Sequence, residues 1–352
     1  MALRALLTPI AQIDRRVQDA WTDLSARALE PNPFFEPTVV CALARHVGLD
    51  ICILTVDRGS ELALCLPLLR RTRWWHGLNL PTWRTWNPLG TPLVDARDVE
   101  ASLGTALAHL ASATGPRALI IDLLPSEGPI ARALDSATAG VYSDRWSESW
   151  QTSRPALLRR SDESYLCATL KGKTKGTFGR KRRALESVLG EPLRTIDESG
   201  SGAAVERLLS IEAAGWKGRS GFAVACRPDR AAYFRDVCAQ FADRGRLQLL
   251  SLQSAGATVA MKCDLRAGGI TFNLRTTYDE RFAKASPGVQ LEIAAVSVFH
   301  ANGDHMADSC TNHANNPQDW LWPDKRPLTR FSMVAGSGAG RALDHDRKRF
   351  SA

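Results

Sequence analysis

The sequence predicts a mixed α/β protein of two domains, each a mostly antiparallel sheet flanked by helices. Three observations predict it. The chain has 352 residues, more than a single core usually organises. Its second half reads as helix, helix, three closely joined strands, helix, strand. Its first half repeats that order more faintly.

In the second half, residues 203–218 (AAVERLLSIEAAGWKG) bring Val205, Leu208, Leu209 and Trp216 round to one helical face, and glycines at 218 and 221 end the pattern. A second helix, 229–245, stops at Gly245 with basic residues in its last turn. RLQLLSLQS, ATVAMKCDLRA and GITFNLRTTYD are strands, and the short turns Ala255-Gly256 and Gly268-Gly269 make them an antiparallel meander. The stretch SPGVQLEIAAVSVFH then opens a long apolar helix. Pro287 suits a first helical turn, Ser286 is a capping residue type, and Gly288 leaves the backbone open to close approach. Such a helix start offers unpaired N–H groups and a positive dipole end to an anion; an ordinary capped helix is the plainer alternative. A short strand at 305–311 closes the half.

In the first half, 37–46 is helical, DICILTVDRGSELALCLPLLRR is a hairpin turning at Arg58-Gly59, 98–113 is a helix and 117–125 a strand. A linker is expected near Gln151–Pro155. That gives domains at 1–152 and 153–335, with a flexible basic tail at 336–352 opened by GSGAG.

Composition narrows the function classes. Hydrophobic residues at 44% with 23% charged describe a soluble globular chain. No window of 18 residues lacks a charge, which argues against a membrane span and leaves peripheral association open. Arg4 and Pro9 interrupt the apolar N-terminus, so no signal peptide is read there. The eight cysteines are scattered without a CxxC, which fits free thiols in a reducing, cytoplasmic setting and no structural metal.

The net charge of +8 is concentrated: Lys171 to Arg183 holds seven basic residues and no acid. Its glycines at 172, 176 and 179 place the expected helix start near Phe178, so Arg180 and Arg183 crowd the positive end of the dipole. The functional reading is a phosphate-bearing partner, such as coenzyme A, a lipid- or nucleotide-linked sugar, or a dinucleotide. The alternative is a solvated patch. No motif for sequence-specific nucleic-acid recognition accompanies it. Arg341-x-x-Asp344, followed by Arg347, Lys348 and Arg349, resembles short cyclic-di-GMP contact motifs.

Four segments carry a wider resemblance: IEAAGWKGRSGFA, RLQLLSLQSAGATVAMKCDL, TYDERFAKASPGVQL and DSCTNHANNPQDWLWPDKR. Together they resemble the CelD-type acetyltransferases of the GNAT superfamily, associated with cellulose and exopolysaccharide production. That family is related to the Fem-type peptidoglycan aminoacyltransferases, which carry two GNAT-like domains. NPFFEPTVVCAL, CLPLL and LGTPLVD extend the resemblance over roughly residues 30 to 335. It implies tandem GNAT-like domains and an N-acyltransferase that moves an acetyl group from acetyl-CoA to an amino sugar. It also implies that the pyrophosphate rests on the helix after the fourth strand, where Lys284, Ser286, Pro287 and Gly288 stand. The superfamily's Q/R-x-x-G-x-G/A signature is replaced there by a segment with one glycine. That leaves two alternatives open: Fem-type transfer from aminoacyl-tRNA to a peptidoglycan precursor, and a non-catalytic, nucleotide-responsive GNAT-fold protein.

Acyl transfer to an amine needs a proton acceptor, stabilisation of the carbonyl oxygen, and a proton for the leaving thiolate. Glu212, on the apolar stripe of its helix, is the first base candidate; a structural ion pair with Lys262 is the alternative. Asp308, sharing a strand face with Met306 and Cys310, is the second, with a turn-capping role as its alternative. Tyr278 could donate to the thiolate, and main-chain amides near Asn273–Arg275 could hold the oxyanion. Trp216, Lys217, Arg180, Arg183 and His313 are placed on the acceptor side. Trp74, Trp75, Trp83 and Trp86 would suit a sugar ring or an aromatic interdomain core.

Overall fold

The computed structural model describes residues 2–72, 78–82, 88–112, 117–138, 151–160, 173–311 and 316–335. They fall into two compact units: residues 1–153 with 327–352, and residues 154–326.

The first unit opens with β1 (Leu3–Pro9), α1 (Arg15–Arg27) and α2 (Pro37–Ala42). The hairpin β2 (Ile51–Arg58) and β3 (Glu61–Leu69) turns on Gly59, whose φ of +66° is one that glycine adopts freely. There follow the short β4 (Arg71–Thr72), β5 (Leu78–Pro81) and β6 (Leu93–Val94), then α3 (Val99–Ala111), β7 (Arg117–Pro125) and α4 (Pro129–Thr138). β1, β2, β3 and β6 form an antiparallel sheet in that order. Helix α1 starts where Asp14 accepts the Val17 N–H at 2.9 Å, and it buries Trp21, whose indole N–H donates to the Phe35 carbonyl.

The second unit holds the site. Its elements are β8 (Gln151–Leu158), α5 (Lys173–Leu189), β9 (Arg194–Asp197), α6 (Gly202–Ala214), α7 (Trp216–Arg219) and α8 (Pro228–Asp243). The meander follows as β10 (Leu247–Ser254), β11 (Ala257–Ala267) and β12 (Ile270–Tyr278). Last come α9 (Pro287–Asn302), β13 (Met306–Asp308), α10 (Gln318–Leu321) and the first residues of β14 (Asp324–Ala335); from Pro327 on, β14 belongs to the first unit, where it pairs with β7. The strand order is β8-β13-β12-β11-β10-β9, antiparallel except for the parallel pair β12–β13. A helix must intervene between parallel neighbours, and α9 is that crossover. Residues of β11 alternate faces: Cys263 lies 3.9 Å from Cys238 of α8, whereas Lys262 reaches Glu292 of α9.

The sheets are antiparallel-rich and helix-flanked, as the sequence pattern predicts. Three local expectations are corrected. Gln151–Pro155 is extended as the start of β8, with residues 154–157 buried in succession, although the division between the two units does fall there, between Ser153 and Arg154. The helix expected over 203–218 breaks at Gly215, so Trp216 leaves the apolar face and is 48% exposed. The basic helix begins at Lys173 and runs through Gly176 and Gly179, five residues earlier than those glycines suggest. Trp74, Trp75, Trp83, Trp86, His313, Lys171 and the basic tail lie outside the described residues.

Candidate functional site

The site forms where β12 leaves its neighbours. β11 and β12 pair from Ala260↔Tyr278 to Cys263↔Arg275; the register then shifts so that Asp264 faces Asn273. Leu274 is the extra residue of that bulge. On the other side β12 pairs with β13 over Ile270–Phe272 and Met306–Asp308, and no further pairing joins them among the described residues. The two strands therefore part at the bulge, in the same 273–275 stretch the sequence marks for oxyanion donors.

Beyond Tyr278 the chain makes a short 3₁₀ turn, Glu280–Ala285, begun by Asp279, which accepts the Arg281 N–H at 3.0 Å. Ser286 then adopts φ +53° and ψ 54°, a left-handed conformation that carries strain in a residue with a side chain. Its carbonyl takes the N–H groups of Val289 and Gln290, at 3.1 and 3.2 Å. Its hydroxyl does not cap α9; it accepts a hydrogen bond from Lys181 Nζ of α5 at 2.7 Å. Pro287 has no N–H, and that of Gly288 has no partner among the described residues. A Cβ on Gly288 would stand 3.5 Å from the Tyr278 ring, an ordinary contact. The start of α9 thus joins open backbone polarity to an adjacent cation, with Tyr278 alongside. Lys284, Arg180 and Arg183 are exposed.

Glu212 is buried and fully engaged. Arg275 Nε lies 2.7 Å from its Oε1, Lys217 Nζ donates to the same oxygen at 3.2 Å, and the Val224 N–H donates to Oε2 at 2.8 Å. Lys217 also donates to the Thr276 carbonyl at 2.8 Å. Burial and the neighbouring Arg275 lower the Lys217 pKa, with Glu212 pulling the other way. Glu212 is thus a strut between α6, α7 and β12, and its partners are Lys217 and Arg275 rather than the expected Lys262.

The sequence segments WKG and YDE meet here. Glu280 accepts the Trp216 N–H at 2.5 Å and pairs with Arg219 at 2.7 Å. Gly218 is required because a Cβ would fall 1.8 Å from the Ala213 carbonyl oxygen.

Asp308 is inaccessible, held by Arg154 Nη2 at 2.7 Å, Arg326 Nη1 at 2.5 Å and the Cys310 N–H at 2.9 Å. Burial alone would raise its pKa, but Arg154 and Arg326 prevail and lower it to about 2. As a candidate base it is corrected to a fixed anion, too weakly basic to take a proton near neutrality.

Sequence reasoning missed a third cluster. Lys262 Nζ donates to both oxygens of Glu292, at 3.1 and 3.0 Å, and lies 3.6 Å from Asp264. All three side chains are buried. Burial works against the Lys262 charge, but Asp264 and Glu292 outweigh it and raise its pKa. Lys262 and Asp264 stand two apart on a strand rich in apolar residues, so period-two reading would have put two charges on one buried face.

Among the described residues no group of three or more His, Cys, Asp or Glu is placed to hold a metal, and no helix is long and apolar enough to cross a membrane.

Residues 172–317 match the family model of the acetyltransferase (GNAT) domain. The chain carries a GNAT acetyltransferase domain. By class it is an N-acyltransferase. Three solved structures share its fold across both units of the chain. FemX aligns at a TM-score of 0.57 and 9% identity, over 93% of this chain and 98% of that one. A conserved protein of unknown function from Bacteroides thetaiotaomicron aligns at 0.55 and 11%, over 92% and 98%. L-PGS from Bacillus licheniformis aligns at 0.52 and 11%, over 93% of each chain. These are likenesses of fold. No curated protein matches this chain in sequence.

Proposed function

We propose that this GNAT protein transfers an acetyl group from acetyl-CoA to the amine of an amino sugar, in the making of an exopolysaccharide. The opening of α9 carries the reading. The left-handed Ser286, the missing N–H of Pro287, the unpartnered N–H of Gly288 and Lys181 at 2.7 Å from the Ser286 hydroxyl make a cradle suited to a pyrophosphate. A donor seated there would lay its thioester along β12 toward the bulge at Leu274, whose main chain would face the carbonyl oxygen. Tyr278, beside Gly288, would protonate the departing thiolate and recover its proton from the acceptor nitrogen. Arg180 and Arg183 would hold a phosphate-linked acceptor, and the exposed Trp216 ring offers a face to a sugar.

Fem-type transfer from aminoacyl-tRNA to a peptidoglycan precursor is the second reading. It is favoured by the fold shared with FemX over nearly the whole of both chains, and by the single glycine at the α9 start. Calorimetry with acetyl-CoA, and thiol release in the presence of glucosamine, test the first reading. Retention of aminoacyl-tRNA without any acetyl-CoA binding would favour the second.

A further inference from the structure

The second unit contains a small pocket that neither the donor cradle nor the Glu212 strut uses. It is lined by Lys262 and Asp264 of β11, Thr271 and Asn273 of β12, Glu292 of α9 and Ala307 of β13, among others. Its free volume is about 10 Å³, the space of a single water. It sits where β12 and β13 part and next to the bulge: Asn273 is paired with Asp264 across β11–β12, and Ala307 is paired with Thr271 across β12–β13.

Two side chains that line it lack a hydrogen-bond partner among the described residues, the Trp322 indole N–H and the Asp264 carboxylate. Asp264 is 1% exposed, and among the described residues neither carboxylate oxygen accepts a hydrogen bond. Glu292 takes both short bonds from Lys262, leaving Asp264 with a cation 3.6 Å away. A buried carboxylate left so is costly unless water or a substrate proton completes it. Two carboxylates facing one ammonium also leave the cluster a proton short of neutrality, so it can take up one proton. The other polar groups lining the pocket, Gln248 from β10 with Thr271 and Asn273 from β12, do not titrate, and the Cys263 and Cys310 thiols that also feel Asp264 are raised well above the ordinary thiol range.

We propose that Asp264 is the proton acceptor of the acyl transfer, reached through one water in this pocket. The inference rests on the acyltransferase reading above and assigns it a base. The acceptor ammonium gives one proton through the water to the Asp264 carboxylate. The freed amine attacks the thioester carbonyl, its C–N bond forms, and the C–S bond breaks. The second proton of that nitrogen passes to the thiolate, which leaves as thiol. Burial pushes the Asp264 carboxyl up to about 7, with Lys262 opposing and Glu292 reinforcing the rise, a value matched to work near neutral pH.

The experiment measures acetyl transfer to glucosamine from pH 5 to 9, with acetyl-CoA affinity by calorimetry, in wild type and Asp264→Asn. The wild-type rate should show a limb with a midpoint near 7. The variant should lose that limb, keep the one set by the acceptor amine, and turn over about 100-fold more slowly. Its acetyl-CoA affinity should stay within about twofold of wild type, which also shows that it folds. A variant that keeps the rate and both limbs overturns the proposal while leaving the acyltransferase intact. A wild type that binds no acetyl-CoA removes the acyltransferase reading itself, and this base with it. Carboxyl ¹³C titration of the wild type gives an independent reading: an Asp264 signal already ionised at pH 5 also overturns the assignment.

Discussion

Lys181 Nζ donates a hydrogen bond to Ser286 Oγ at 2.7 Å, joining the basic helix α5 to the residue that opens α9. Two features that look separate in the sequence, the charge run and the Ser-Pro-Gly step, are one local structure. The same ammonium stands 5.7 Å from the centre of the Phe178 ring, so its stem is steadied from both sides. A cation held this way is available to an anion at the helix start.

Lys181→Met keeps the stem and removes the charge. Donor affinity should fall about tenfold at low salt, ~1.4 kcal/mol. Thermal stability should change little, because a single partly exposed hydrogen bond contributes about 1 kcal/mol or less. Calorimetry beside a melting curve reads both, and unchanged affinity would take Lys181 out of the donor site.

The exposed basic residues are predicted to serve the acceptor. Arg180→Ser with Arg183→Ser should raise the acceptor's apparent Michaelis constant, and raising salt from about 50 to 200 mM should have the same effect in the wild type. Arg182 is left in place because it pairs with Glu186 at 3.0 Å and donates to the Leu193 carbonyl. Its loss would disturb folding. Indifference to both changes would make the run a solvated surface.

Glu212→Gln should act on the scaffold. Removing its charge leaves Lys217 and Arg275 facing each other without their anion, and stability should drop by about 3 kcal/mol. If catalysis is lost about 100-fold with the melting temperature unchanged, Glu212 is the base after all.

Asp308 makes a pH prediction with a definite sign. Its pKa is lowered from 3.8 to about 2, so its stabilising contribution is complete above 3.8 and is lost as pH falls toward 2. Asp308→Asn should destabilise the protein by about 3–5 kcal/mol at neutral pH, since Arg154 is left buried without its charge partner. The gap between variant and wild type should narrow below pH 4. A constant gap in acid melts would contradict the assignment.

Much of this fold was legible in the sequence because its signals are local. The turns at Ala255-Gly256 and Gly268-Gly269 fixed the meander, and their positive φ angles are those short hairpin turns need. The Ser-Pro-Gly step marked a helix start correctly. The strand character of Gln151–Pro155 is not legible, because the partners of β8, such as Ser309 whose N–H donates to the Pro155 carbonyl, are distant in sequence and leave no local trace. The site was legible as a set of residue types and less so as a set of roles. Glu212 and Asp308 looked like bases because burial was foreseeable, whereas the arginines that neutralise them come from positions 63 and 154 residues away. Asp264 was overlooked because a strand rich in apolar residues invites a reading as simple core.

Acetyl-CoA titrated into wild type, Gly288→Ala and Gly288→Glu tests the central claim most directly. The alanine meets Tyr278 at an ordinary 3.5 Å, so it should fold and bind within a few-fold of wild type. The glutamate puts a negative charge where the pyrophosphate would rest, and affinity should fall by more than about tenfold, ~1.4 kcal/mol. Equal affinity of all three proteins would place the donor away from α9 and contradict the account.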